Sequence, residues 1–132
     1  MNSPYESNPK FPEQLLHHTA SGRLVRSKSE AIIDMVLSKY RIPFRYECAL
    51  NLGEITIYPD FTILHPVTGE LYYWEHFGLM DDAVYCKSAC SKLQLYCAHG
   101  IIPNVHLITT YESKECPLNS DFVEKIVQMY FI

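Results

Sequence analysis

The chain has 132 residues, 48% of them hydrophobic and 20% charged, with a formal charge of −4. That length accommodates one domain with a core of its own and excludes two. The composition excludes a disordered segment, and no apolar run approaches the roughly 20 residues of a membrane span.

Residues 1 to about 24 are polar and broken by Pro4, Pro9 and Pro12, which predicts a flexible N-terminal arm and leaves 25–132 as the folded domain. The opening Met1-Asn2-Ser3-Pro4-Tyr5-Glu6 has neither the basic start nor the apolar stretch of a signal peptide. Five cysteines at 48, 86, 90, 97 and 116, with no CxxC pair, read as free thiols in a reducing compartment. A cytoplasmic protein is expected.

A helix starts at Ser27 or Ser29. Ala31, Ile32, Met35, Val36 and Lys39 recur at helical spacing, and Ser27 with Glu30 has the form of a capping box. Arg41-Ile42-Pro43 ends it, because proline drives its predecessor out of the α region. Residues 44–51 predict a strand, Asn51–Glu54 a turn, and Ile55–Leu64 a second strand with a bend at Pro59. His65–Glu70 reads as a hairpin loop and Leu71–Phe77 as a third, aromatic strand. Next come a helix over 82–98 closed by Gly100, a strand at Val105–Thr110, and a helix capped by Ser120 and reaching Tyr130. The order α-β-β-β-α-β-α implies an α/β fold, a mixed four-stranded sheet flanked by helices.

Asp60 and Glu75 interrupt β-favouring apolar runs, where an isolated carboxylate is costly without a cation or donor. A hairpin would bring both onto one sheet, so that they could share a divalent ion. On the 82–98 helix, Tyr85, Ala89, Lys92 and Tyr96 share one face, while Lys87 groups with Ser91 and Gln94 on a wetter one. Cys86, Cys90, Leu93 and Cys97 also lie at helical spacing and read as a core-packed face. Arg23, Arg26, Lys28, Lys39, Arg41 and Arg45 concentrate positive charge in the first third of the fold, either as a phosphate-tracking surface or as a solvated helix side.

Glu30, Pro59-Asp60-Phe61 and Trp74-Glu75-His76-Phe77-Gly78, at these spacings, resemble the PD-(D/E)XK nuclease superfamily, restriction-endonuclease-like in core. More narrowly, residues 25 to about 112 resemble the nuclease-like domains found alone or fused to bacterial helicases. The resemblance implies a Mg²⁺- or Mn²⁺-dependent enzyme cutting DNA, with a helicase or mobile-element complex as a partner and no membrane. By it, Asp60, Glu75 and the His76 backbone carbonyl would be metal ligands, with Glu30 approaching from the first helix. The pattern asks for a lysine where Phe77 stands. Lys92 is the expected replacement, as the cation that offsets transition-state charge. Strand alternation points the His76 ring away from the metal unless a bulge turns it. A nuclease-fold module that binds nucleic acid or a protein without chemistry is the alternative.

Overall fold

The computed structural model describes residues 3–132. Two short paired strands, β1 (His17–His18) and β2 (Leu24–Val25), lead into α1 (Lys28–Lys39). Ser27, in extended backbone, caps α1 by accepting the Glu30 N–H at 3.2 Å. The helix closes in a Schellman arrangement: Ile42 N–H bonds the Leu37 carbonyl and Arg41 N–H that of Ser38. Arg41 takes the left-handed position, at φ 56°, where glycine is usual.

β3 (Phe44–Tyr46), β6 (Phe61–Leu64), β7 (Leu71–Phe77) and β8 (Leu107–Tyr111) form one mixed sheet in that spatial order, with β4 (Leu50–Leu52) and β5 (Ile55–Ile57) as a separate hairpin between β3 and β6. β3–β6 and β6–β7 are antiparallel. β7–β8 is parallel, which requires a crossover, supplied by α2 (Ala83–Ala98). The chain ends in α3 (Ser120–Phe131).

Alternation along each strand decides what covers the sheet. Phe44, Phe61, Ile63, Trp74 and Ile108 point to one face and are buried with Ile33, Val36 and Leu37 of α1 and Val123, Val127 and Phe131 of α3. Glu75 points to the opposite face, where α2 buries Ala89 and Tyr96. No helix among the described residues is long and apolar enough to cross a membrane.

The expected strands differ in detail. The run 55–64 divides at Tyr58-Pro59-Asp60 into β5 and β6, because the Pro59 bend separates the pairing of β5 with β4 from that of β6 with β3 and β7. The run 44–51 likewise stops at Tyr46, since Glu47 turns left-handed at φ 49°. Asn119, not Ser120, caps α3. The cysteine side of α2 faces outward, with Cys90 and Cys97 exposed, because the Tyr85–Ala89–Lys92–Tyr96 side takes the sheet.

Of the segment expected as an arm, the described residues 3–24 make contacts with the domain, and the expected boundary at 24 falls inside β2. Tyr5 hydroxyl donates to the Tyr46 carbonyl at 3.0 Å, Ala49 N–H donates to the Glu6 carbonyl at 2.9 Å, and Asn8 N–H to that of Glu47 at 3.2 Å. Asp34, fully buried on α1, accepts from Ser21 N–H (3.0 Å) and Ser21 hydroxyl (2.6 Å).

Candidate active site

Where β6 begins, β7 ends and β3 has just stopped, four carboxylates come together. Asp60 enters β6 after Pro59, Glu75 stands in β7, Glu47 follows β3, and Glu30 arrives from the first turn of α1. Glu47 N–H donates to the Asp60 carbonyl at 3.0 Å, which extends the β3–β6 pairing to this point.

Glu75 is 2% exposed. Lys92 Nζ, reaching down from α2, lies 2.9 Å from Oε1 and 2.8 Å from Oε2, and Tyr96 hydroxyl donates to Oε2 at 2.5 Å. Burial pushes the Glu75 carboxyl up, against the pull of Lys92 and Tyr96. Burial would lower the Lys92 ammonium, but Glu75 and Asp60 outweigh it and hold the group above its ordinary value, so it is charged at neutral pH. Lys87, by contrast, is exposed. Phe77, where a lysine was expected, stacks on Tyr111 with centroids 5.4 Å apart.

Asp60 is half-buried and accepts the His76 backbone N–H at 2.7 Å. Desolvation, then the charges of Glu75 and Glu30, hold its carboxyl well above the ordinary range. Glu30 is buried and also raised, chiefly by desolvation. Its Oε1 accepts from Tyr46 hydroxyl at 2.9 Å and Arg26 N–H at 3.2 Å. Arg26 binds Glu47 Oε2 through Nε at 2.7 Å, and its two terminal nitrogens hold the Lys10 and Phe11 carbonyls at 2.6 and 2.7 Å.

The His76 imidazole lies on the opposite face of β7. Nε2 meets Glu112 Oε1 at 2.7 Å, and Nδ1 meets Thr110 Oγ1 at 2.8 Å, which in turn accepts the Trp74 indole N–H at 3.0 Å. Ser29 hydroxyl also bonds Glu112. Of His76, then, the backbone faces the carboxylates and the ring does not.

Asp60, Glu75, Phe77, Tyr85, Ala89 and Lys92 line an open cleft of about 200 Å³. A larger cavity of about 470 Å³ lies beyond Gly78, between Asp81 and Glu112, and lacks the lysine–carboxylate pairing seen here. The donor set fits a hard divalent cation, since Glu30, Glu47 and Asp60 each offer an oxygen and these lie within 4.8 Å of one another. The positive charge of a cation there would also offset the burial and repulsion that raise Asp60 and Glu30. The grouping differs from the expected pair: Asp60 gathers with Glu30 and Glu47, while Glu75 is paired to Lys92.

Sequence reasoning brought Glu30, Asp60, Glu75 and Lys92 to attention and missed Glu47, Arg26 and Tyr46 as parts of the site. Glu47 carried the same signal as Asp60, a carboxylate inside a β-favouring run. Three of the basic residues are engaged within the chain: Arg26 binds Glu47, Lys39 binds Glu124, and Arg23 lies over the Phe44 ring. No protein-family model, no curated protein and no solved structure matches this chain.

Proposed function

We propose that the chain is a metal-dependent nuclease that hydrolyses DNA phosphodiester bonds, on the plan of the PD-(D/E)XK superfamily and in the company of a helicase or mobile-element complex. The observation that carries this reading is the convergence of Lys92, from α2, on Glu75 beside Asp60 in one open cleft. The succession α1, β3, β6, β7, α2, β8, α3 in the central layers supports it as well.

Hydrolysis forms a bond from a water oxygen to phosphorus and breaks an ester P–O bond, whose leaving oxygen takes up a proton. Asp60, Glu30 and Glu47 would hold Mg²⁺ or Mn²⁺, which supplies Lewis acidity toward a phosphoryl oxygen. An ammonium has three donors. The Glu75 carboxylate engages Lys92 on one side, and an N–H left over would donate to the attacking water or to a phosphoryl oxygen entering the cleft. Tyr96 fixes the Glu75 carboxylate and, through it, the lysine.

The test is cleavage of DNA in Mg²⁺ or Mn²⁺. Lys92→Ala should slow it about 10²–10³-fold, with Lys87→Ala at the wild-type rate. A Lys92→Ala protein cutting at full speed sinks the assignment. One observation favours the second reading, a binding module without chemistry: both Glu75 oxygens are already satisfied by Lys92 and Tyr96. Calorimetry separates the two, since a nuclease requires Mg²⁺ or Mn²⁺ affinity that Asp60→Asn removes.

A further inference from the structure

The face of the sheet that carries Glu75 continues past it into a second cleft. In the register of the strands, Arg45 of β3 lies opposite Thr62 of β6, and Thr62 opposite Tyr73 of β7. Arg45 is two residues before Glu47, Thr62 two after Asp60, and Tyr73 two before Glu75. Side chains two apart on a strand share a face, so Tyr73 lies on the Glu75 face of β7, about 7 Å along the strand, and the row Arg45–Thr62–Tyr73 crosses the sheet beside the row of carboxylates, in which Glu47 and Asp60 lie just beyond the ends of β3 and β6. One row is acidic; its neighbour is cationic and aromatic.

This second row floors a cleft of about 350 Å³, with the paired Leu64 and Leu71 as its apolar continuation and Cys48 also in its lining. Its lining includes no carboxylate among the described residues. Arg45 is held in place, with one terminal nitrogen 2.9 Å from Ser3 Oγ, the other 3.9 Å from Cys48 Sγ, and the guanidinium 5.0 Å from the Tyr5 ring centroid. Tyr73 is half-buried, which keeps its phenol protonated and neutral.

We propose that this cleft binds an unpaired nucleotide adjoining the phosphodiester to be cut, with Tyr73 as the stacking platform for its base and Arg45 as the cation for its backbone. The inference rests on the nuclease reading. Its volume is at the lower end of the range for small-ligand pockets, and apolar side chains beside a tyrosine suit the face of any base. A base held in a duplex cannot leave its stack without the cost of unpairing. Together, the two rows describe a track one strand wide: a phosphodiester against Lys92 and Glu75, and the neighbouring nucleotide over Tyr73.

The 132-residue chain, with EDTA present so that no cleavage occurs, is titrated against a fluorescein-labelled single-stranded 12-mer and against a hairpin duplex, with anisotropy as the readout. Tyr73→Ala should weaken single-strand binding about tenfold, consistent with the loss of one stacked base. Tyr73→Phe should retain it, and its thermal transition guards against misfolding. An abasic nucleotide walked along the 12-mer should remove the difference between wild type and Tyr73→Ala at one position. Cleavage in Mg²⁺ is measured in parallel. Equal affinities for wild type and Tyr73→Ala, or tighter binding of duplex, overturn the inference while a cutting enzyme leaves the nuclease reading standing. Tyr73-dependent, abasic-sensitive binding without cleavage keeps a base on Tyr73 but overturns the catalytic reading and, with it, the placement beside a phosphodiester to be cut. Neither binding nor cleavage overturns both.

Discussion

Glu75 and His76 are neighbours on β7, and they belong to two polar regions that resolve their charges in opposite ways. On the His76 face, Glu112 accepts from Ser29 hydroxyl, His76 Nε2 and, at 3.3 Å, Leu118 N–H. Burial would raise its carboxyl, but the hydrogen bonds from Ser29 and His76 outweigh it and bring the group below its ordinary value. On the Glu75 face, Asp60 receives the His76 N–H while Glu75 and Glu30 repel it, and its carboxyl is held well above the ordinary range. The first region matches donors to acceptors and ties β7, β8 and α1 together. The second collects more negative charge than its donors offset, and so leaves charge uncompensated where the first leaves none.

That contrast can be broken by mutation, most strongly on the satisfied side. Glu112→Ala leaves the His76 ring without its partner and should destabilise the protein by about 1–3 kcal/mol. Urea unfolding measures it, and an unchanged midpoint would remove Glu112 from the groups that tie β7, β8 and α1 together. The acidic side should respond with the opposite sign. Asp60→Asn relieves repulsion among the carboxylates, so the metal-free protein should gain on the order of 1 kcal/mol at neutral pH. A loss of stability in EDTA would mean that Asp60 is a structural group.

The smallest effect is a slope. Asp60 and Glu30 bind protons more tightly folded than unfolded. Their stabilisation is therefore complete below the unfolded carboxyl pKa and is lost as pH rises through the higher folded values. Glu112 runs the other way: its contribution is present above the unfolded pKa and is lost as pH falls through the lowered folded one. Unfolding free energies from pH 4 to 8 in EDTA should thus decline less steeply for Asp60→Asn than for wild type, by some fraction of the roughly 1.4 kcal/mol per pH unit that one fully coupled proton gives. Parallel curves would contradict the assignment of raised carboxyls to this cluster.

How much of this was legible in the sequence depended on whether a residue's role leaves a periodic trace. Asp60 and Glu75 stood out as charges in apolar runs, and Lys92 because Tyr85, Ala89 and Tyr96 recur beside it at helical spacing. Glu47 left the same trace but was read through as strand, since nothing in Tyr46-Glu47-Cys48 announces a left-handed backbone in the way glycine does. The contacts of residues 3–24 were illegible for another reason. They are made by single side chains, Tyr5 on Tyr46 and Ser21 on Asp34, with no repeat to betray a buried face. Polar composition reads as an arm whether or not its few anchors find partners.

The backbone at Glu47 has a consequence for anyone who would engineer this protein. At φ 49° it occupies a region that costs a non-glycine residue on the order of 1–3 kcal/mol. Glycine or asparagine would sit there with less strain. A redesign that optimised thermal tolerance alone would therefore write one of them at this position, leaving Arg26 without its carboxylate and the cluster with one negative charge fewer. Gains in melting temperature at position 47 should be accepted only alongside an assay of divalent-cation binding, because the substitution that relaxes the chain is the one that dismantles the site.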